Sequence, residues 1–237
     1  MRAIAGKCGC GSVEAMKNRC PIVNMPGFAR VPDTVWEMVR EKRVANNYHK
    51  GNIIFYEGNR PFGVYFLCAG RVKIIRTDTD LHASIPRVVE APDMLGERAF
   101  LAGENYLATG EALEDCRICF LDGAFFEKSL LEVPEVCRAL VSRLAAKLGH
   151  AEEHLLDFGF KTVRGRLAKY IVEKADVKGS SNIKFPESRA DLAMILGTSP
   201  EVLCRLLSEF RKKGWIVVSG QDVTVKDKSR LEQVSRR

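Results

Sequence analysis

Residues 188–214 constrain the fold of this chain more than any other segment, because they predict two short helices joined by a tight turn. Ser188 can cap the first helix, and Gly197 has the backbone freedom that a helix C-terminus prefers. Ser199 can cap the second helix, whose first position suits Pro200 because no N–H is needed there. The polar face of this second helix comprises Glu201, Cys204, Arg205, Ser208 and Arg211.

The segment that follows predicts a β-hairpin. Residues 215–225 consist of two β-rich stretches around Ser-Gly-Gln-Asp, which suggests a wing beside the helix pair. A helix-turn-helix protein places polar residues near the start of its second helix against DNA base edges. An ordinary two-helix unit of a protein core is the alternative interpretation.

The distribution of charge favours DNA binding over that alternative. The chain has a net charge of +7, and residues from 159 onward hold 17 Lys and Arg against nine Asp and Glu. The rest of the chain is close to neutral, so the positive excess coincides with the helix pair. Such a concentration is expected where a protein neutralises DNA phosphates.

The composition also narrows the class of protein. No apolar run is long enough to span a membrane, and the N-terminus has no secretory pattern, so we expect a cytoplasmic protein without membrane association. Its eight cysteines are then expected to be mainly reduced thiols. We find no nucleophile–base arrangement, phosphate loop or HExxH pair, and therefore do not expect an enzyme.

Short apolar runs separated by glycines and turn residues fill the region from about 30 to 130. This rhythm is typical of an antiparallel barrel or roll rather than of βαβ units, and a helix around Trp36 is expected to precede it. The runs cover 52–56, 63–68, 71–75, 87–89 and 117–121.

From Pro134 the apolar residues recur at steps of three and four, which predicts a helix of about six turns. A long helix with such a seam is typical of a two-stranded coiled coil, so we expect a homodimer. Packing of the helix on its own β-domain is the alternative. The seam comprises Val136, Leu140, Leu144, Leu148, Ala151, Leu155 and Phe158.

These patterns predict an α+β chain with four parts. They are a cysteine-containing N-terminal arm (1–29), an antiparallel β-roll sensor domain (30–132), a dimerisation helix (133–158) and a winged helix-turn-helix domain (159–237).

This order of domains resembles the CRP/FNR family of bacterial transcription factors, from about residue 30 to the end. The resemblance implies a cyclic-nucleotide-binding-like roll, a homodimer that binds palindromic double-stranded DNA, and RNA polymerase as a partner. The motifs that carry it are Lys50–Gly58, Leu67–Ile74, Leu95–Glu97 and the Glu201–Arg205 pair followed by Leu206 and Leu207.

The roll lacks the residues that hold a cyclic nucleotide in this family. There, the Glu of a Gly-Glu pair binds the ribose, and a later Arg followed by Ser or Thr holds the cyclic phosphate. Gly96 and Glu97 are present, but the later positions are Leu107 and Ala108. An apolar pair cannot neutralise a phosphate, so no cyclic nucleotide is expected and Glu97 is interpreted as structural.

The cysteines resemble those of the oxygen-sensing FNR branch. Cys20 precedes Pro21, as in that branch, and Cys119 follows an Ala-Leu-Glu segment at the same distance. The resemblance implies a [4Fe–4S] cluster on four soft thiolates. The expected ligands are Cys8, Cys10, Cys20 and Cys119, with Cys116 in reserve.

Several alternatives remain open for the cysteines. Cys8, Cys10 and Cys20 could bind zinc, form a reversible disulfide as exposed thiols on a mobile arm, or be incidental residues of a disordered arm. Haem, with no axial ligand indicated, and an unidentified small ligand in the β-roll are further options for the effector. The isolated Cys68 and Cys137 are interpreted as small buried hydrophobic residues.

The resemblance also assigns roles in DNA recognition. Glu201 and Arg205 match the pair that reads C and G in a TGA-type half-site, which agrees with the preference of carboxylates for cytosine N4 and of guanidinium for guanine O6 and N7. Ser199, Pro200 and Cys204 lie beside them on the reading face. Phosphate contacts are expected from Lys161, Arg164, Lys184, Arg189, Arg211, Lys212 and Lys213.

Overall fold

The computed structural model describes residues 12–77 and 83–236. The chain forms two units, one up to Lys147 and one from Leu148 to the C-terminus. None of the helices in the described ranges is long and apolar enough to cross a membrane.

The N-terminal segment packs into the first unit from residue 12 onward. Helix α1 (Val13–Arg19) is capped by Ser12 and is followed by a 3-10 turn (Phe28–Arg30) and α2 (Asp33–Lys42). Met16 and Cys20 are buried in the core of this unit. The expectation of exposed thiols on an arm is therefore wrong for Cys20, because its neighbours in the chain are apolar and cover the roll.

Two four-stranded antiparallel sheets form the roll, which confirms the predicted α+β architecture. Their orders are β1-β8-β3-β6 and β2-β7-β4-β5. The strands are β1 (Val44–Tyr48), β2 (Ile53–Phe55), β3 (Gly63–Ala69), β4 (Arg71–Thr77), β5 (Ala83–Glu90), β6 (Asp93–Leu95), β7 (Thr109–Ala112) and β8 (Cys116–Asp122).

Three of these strands have no counterpart in the sequence prediction: β1, β6 and β7. They are short or rich in polar residues, as in Val-Ala-Asn-Asn-Tyr of β1. Their β-structure depends on pairing with stronger neighbours such as β8, β3 and β4. Two further helices belong to this unit. Helix α3 (Glu97–Ala102) lies between β6 and β7 in the chain, and α4 (Gly123–Glu132) follows β8.

The predicted apolar seam lies on helix α5 (Pro134–Phe160), and its two halves differ in burial. Val136 and Leu140 are buried in the core of the first unit, so the alternative of packing on the β-domain is correct for the first turns. Leu148 and Leu155 are instead 61 % and 75 % exposed. Val141 is exposed as well and lies seven residues before Leu148.

The second unit contains the predicted winged helix-turn-helix. Its helices are α6 (Val163–Lys178), α7 (Arg189–Ile195), α8 (Pro200–Lys212) and α9 (Lys228–Ser235). The predicted hairpin is present as β10 (Ile216–Ser219) and β11 (Asp222–Val225), and β11 also pairs with β9 (Asn182–Lys184). Strand β9 and helix α9 have no counterpart in the sequence prediction.

Candidate DNA-reading surface and cysteine site

Two serine caps and one glycine determine the geometry of the α7–α8 pair. Ser188 Oγ accepts a hydrogen bond from the Asp191 N–H (3.0 Å), and Ser199 Oγ accepts one from the Val202 N–H (3.4 Å). Gly197 has φ +61°, a conformation that favours glycine. The predicted caps are confirmed.

The turn between α7 and α8 packs against the end of α5 inside the second unit. A Cβ atom on Gly197 would lie 2.4 Å from the ring of Phe158. The Arg166 guanidinium lies 4.4 Å from the centroid of the same ring, and its Nε donates to the Leu196 carbonyl (3.0 Å). These contacts tie the start of α8 to the last turns of α5.

Helix α8 has one buried face and one exposed face, as the sequence predicts. The buried face packs into the core of the second unit through Leu203, Leu206, Leu207 and Phe210. The exposed face carries Pro200, Glu201, Cys204, Arg205, Arg211 and Lys212.

Glu201 and Arg205 lie one helical turn apart on this exposed face. A hydrogen bond with the Ser199 side chain lowers the pKa of Glu201, so the group is a carboxylate at neutral pH. A carboxylate accepts hydrogen bonds, and the guanidinium of Arg205 donates them. The pair therefore presents an acceptor and a fork of donors side by side.

Three basic side chains of the second unit contact other residues of the same unit. Lys161 pairs with Asp157 (2.7 Å), and Arg164 pairs with Glu209 (3.1 Å) while lying over the Trp215 ring. Arg189 donates to the Gly220 carbonyl (2.6 Å). These three stabilise the unit, whereas Arg211, Lys212 and Lys184 are exposed and Lys213 pairs with Glu209.

In the first unit, a side chain of α5 pairs with the glutamate of the Gly96–Glu97 motif. Glu97 is only 3 % exposed and is paired with Lys147. Asp93 is paired with Arg143, and it also lies 2.9 Å from Lys147. Burial lowers the pKa of Lys147 to about 8, although Glu97 acts in the opposite direction. The carboxylate of Glu97 thus already has an internal cation.

Three cysteines converge in the core between the N-terminal segment and the roll. Cys20 and Cys119 line one small cavity, together with apolar residues and Arg43. The Cys68 thiol donates to Cys119, with the two sulfurs 3.6 Å apart. The structure therefore brings together two of the four predicted ligands, Cys20 and Cys119. It adds Cys68, for which the sequence predicted only a small buried hydrophobic residue.

The acidities of the three thiols differ because they share hydrogen bonds. The bond with Cys68 lowers the pKa of Cys20 to about 6, and the Arg43 guanidinium acts in the same direction from 3.9 Å. The bond with Cys68 likewise lowers the pKa of Cys119. Cys68 holds its proton between the two other sulfurs, and its pKa is raised.

The remaining cysteines fall into three groups. Cys116 faces the other side of β8, where its thiol donates to the carbonyls of Arg71 and Glu114 (3.2 Å each). Cys137 and Cys204 are exposed, which corrects the interpretation of Cys137 as a small buried hydrophobic residue. Cys8 and Cys10 lie outside the described residues. Within 12–77 and 83–236, no group of three or more His, Cys, Asp or Glu side chains is arranged to hold a metal ion.

Two family models match the chain. A cyclic nucleotide-binding domain matches residues 45–132, and a Crp-like helix-turn-helix domain matches residues 165–234. The first covers the roll and the second covers the α6–α9 unit.

Three individual proteins are similar to the chain over most of its length. The CRP-like cAMP-activated global transcriptional regulator of Mycobacterium tuberculosis is 25 % identical over 80 % of this chain and 87 % of its own. The nitrogen fixation regulation protein FixK of Azorhizobium caulinodans is 27 % identical over 79 % and 77 %. The structure of FixK2 from Bradyrhizobium japonicum is 25 % identical, with a TM-score of 0.71 over 81 % and 96 %.

Proposed function

We propose that the chain is a DNA-binding transcription regulator of the CRP/FNR type and that it binds a palindromic DNA site as a homodimer. Helix α8 reads a TGA-type half-site in the major groove. The observation that carries this proposal is the exposed Glu201–Arg205 pair on a helix whose other face is buried.

Each reading residue has a base that suits its chemistry. Arg205 donates two hydrogen bonds to O6 and N7 of guanine, and Glu201 accepts from N4 of cytosine. Pro200 carries no donor, so the outer base of the half-site is not read by a guanidinium. Arg211 and Lys212 contact phosphates and position the helix.

A homodimer is supported by the exposed stripe of α5. Val141, Leu148 and Leu155 are separated by seven residues, which is the repeat of a coiled coil. Pairing two such stripes would bury Val141, Leu148 and Leu155 and present two α8 helices to two half-sites. RNA polymerase is the partner through which a bound dimer would act on transcription.

We further propose that cyclic nucleotides do not control this regulator, although the M. tuberculosis relative is named as cAMP-activated. Leu107 and Ala108 offer no charge to a cyclic phosphate. Glu97 is paired with Lys147, so its carboxylate is not available to a ribose hydroxyl.

The effector proposed instead is oxygen or redox state, sensed through an iron–sulfur cluster on Cys8, Cys10, Cys20 and Cys119. Cys20 and Cys119 support this proposal, because both line one cavity and both have lowered pKa values, which favours the thiolates that a soft metal binds. The cavity is only about the size of one water, so a cluster requires the N-terminal segment to lie farther from β8 than it does in this structure. Such a cluster supplies oxygen-sensitive chemistry when bound. The chain's own contribution is to hold the thiolates of the N-terminal segment and of β8 together.

A thiol–disulfide switch is the second candidate. The 3.6 Å separation of the Cys68 and Cys119 sulfurs favours it, since the two thiols are already in contact on neighbouring strands. In this case the redox signal is stored in the protein itself.

The experiment that tests the proposal uses the full chain purified without oxygen. Iron, sulfide and zinc are measured together with the absorption spectrum, and binding to a TGA-type palindromic duplex is followed by fluorescence anisotropy before and after air. We expect iron and sulfide in equal amounts, a visible absorption band that air removes, and DNA binding that changes with it.

The outcomes separate the parts of the proposal. Colourless protein without iron, which binds the duplex and responds to reversible oxidation, would replace the cluster with the thiol switch. Zinc in place of iron would reject both redox groups on these cysteines. Equal affinity for the palindrome and for scrambled duplexes would contradict sequence-specific reading by α8.

A further inference from the structure

Cys68 and Cys119 form a thiol pair on neighbouring strands of the roll. Strands β3 and β8 pair antiparallel with Phe66 opposite Cys119, and an irregularity between Leu67 and Ala69 displaces Cys68 from the regular register. The result is a sulfur–sulfur distance of 3.6 Å, with Cys68 as the donor. Both side chains are nearly fully buried.

Only one member of this pair borders the cavity beneath the N-terminal segment. Cys119 is among its lining residues, together with Cys20, Met16 and Trp36, whereas Cys68 is not. The cavity volume is about 10 Å³, roughly the space for the centre of one water molecule. A cavity of this size excludes a bulky disulfide reagent, so an oxidant that reaches Cys119 must be as small as hydrogen peroxide.

We propose that Cys119 and Cys68 form a peroxide-reactive dithiol, in which Cys119 is oxidised first and Cys68 resolves it to a disulfide. The Cys119 sulfur attacks the peroxide O–O bond, which gives a sulfenic acid and releases water. The Cys68 sulfur then attacks the sulfenic sulfur, the S–S bond forms, and a second water leaves. Two thiols and one hydrogen peroxide thus yield one disulfide and two waters.

Three other cysteines of the described residues lie away from this pair. Cys116 lies on the same strand as Cys119, but strand alternation turns its side chain to the opposite face, into a different buried cluster. Cys137 and Cys204 are exposed on helices α5 and α8, outside the cavity. The other thiol at the cavity is that of Cys20, which also forms a hydrogen bond with Cys68.

The disulfide has a consequence for regulation, which rests on the proposed function. It removes Cys119 from the set of thiolates available to the cluster and leaves Cys20 without its partner on β8. Peroxide would then hold the protein in a cluster-free state until the disulfide is reduced.

The test is a linkage map of the full-length, cluster-free protein. The reduced protein is treated with one equivalent of hydrogen peroxide, its remaining thiols are blocked with N-ethylmaleimide, and it is digested with trypsin without reduction. Because Arg117 lies between Cys116 and Cys119, trypsin separates these two cysteines. We expect mass spectrometry to find Cys68 linked to Cys119, and Cys116 blocked by the reagent.

Two matched variants test the order of the steps. In Cys68→Ser, Cys119 has lost its resolving thiol, so dimedone should label the Cys119 sulfenic acid when the oxidised protein is unfolded in urea with the reagent present. Cys116→Ser changes another buried cysteine of β8 and should leave the Cys68–Cys119 link intact. If Cys68→Ser does not fold, the wild-type map still decides the pairing.

Other results would overturn the proposal. They are a link from Cys20 to Cys68 or to Cys119 in place of Cys68–Cys119, or a reduced Cys119 after the exposed cysteines have been oxidised. The map requires neither iron nor DNA, so it separates the two proposals. A link formed in a protein that binds no iron would refute the cluster alone, and an iron-binding protein without the link would refute the dithiol alone.

Discussion

Arg205 is the single residue on which the proposed sequence specificity depends most. It is exposed on α8, one turn beyond Glu201, and can form two hydrogen bonds to one guanine. We expect Arg205→Ala to weaken binding to the cognate duplex by about 1–3 kcal/mol, roughly a 5- to 150-fold rise in Kd. Anisotropy titrations on duplexes with each base at that position provide the measurement.

The control for Arg205 is Lys212→Ala, which removes a positive charge from the same helix. A phosphate contact carries no base preference, so this variant should weaken all duplexes alike and reduce the slope of log K against log salt by about 1. If Arg205→Ala behaves in the same way, Arg205 is a phosphate contact and base reading by this residue is ruled out.

The side-chain alternation of one strand decides the fate of two further residues. Cys116 and Cys119 are three positions apart on β8, so they project to opposite faces. Cys119 therefore meets Cys68, while Cys116 meets backbone carbonyls. This geometry favours Cys119 over Cys116 as the redox residue.

At the scale of elements, a buried charge cluster joins α5 to β6 and α3 of the first unit. Lys147 and Arg143 of α5 pair with Glu97 and Asp93. Burial of charges is costly, and it is compensated only while each charge keeps its partner. The cluster therefore fixes where α5 meets the roll.

We expect Lys147→Met to destabilise the first unit by about 3–5 kcal/mol, because Glu97 would remain buried without its cation. The double variant Lys147→Met/Glu97→Gln removes both charges and should recover most of that loss. Urea unfolding of the wild type and both variants measures the free energies.

An exposed ion pair of the same unit provides the comparison. Arg98 and Glu104 are 2.8 Å apart, but each is about half exposed. Arg98→Ala should cost less than about 1 kcal/mol. A Lys147→Met cost as small as this one would show that the buried cluster does not hold α5.

The whole molecule depends on whether two copies pair along α5. Leu148 and Leu155 are exposed in the single chain, so Leu148→Lys/Leu155→Lys should leave its fold intact. The same charges would repel each other in a coiled-coil seam. We expect analytical ultracentrifugation to find a monomer, and affinity for the full palindrome to fall by about 10²-fold or more as avidity is lost.

Leu131→Lys is the matched control for the dimer. Leu131 is 82 % exposed on α4, away from the α5 stripe, and its substitution should change neither the oligomeric state nor DNA affinity. A dimer that survives the double α5 variant would mean that the copies associate through another surface.

Much of the fold was predictable because it depends on local signals. The caps at Ser188 and Ser199, the turn at Gly197 and the two faces of α8 follow from short-range spacing, and each is present. The strands β3, β4, β5 and β8 also agree with the apolar runs. Strands such as β1 were missed because their residues have little β-preference of their own and pair with stronger strands.

The amino-acid sequence alone determined the order of domains, the reading face of α8 and the lack of charge at positions 107 and 108. All of these depend on residue type and on neighbours a few positions away. Tertiary structure alone decided that Cys68 touches Cys119 and that Lys147 neutralises Glu97. It also decided that Val136 is buried while Leu148 is exposed. Contacts across about 50 residues depend on strand register and helix packing, and a helical repeat does not reveal which partner covers each of its turns.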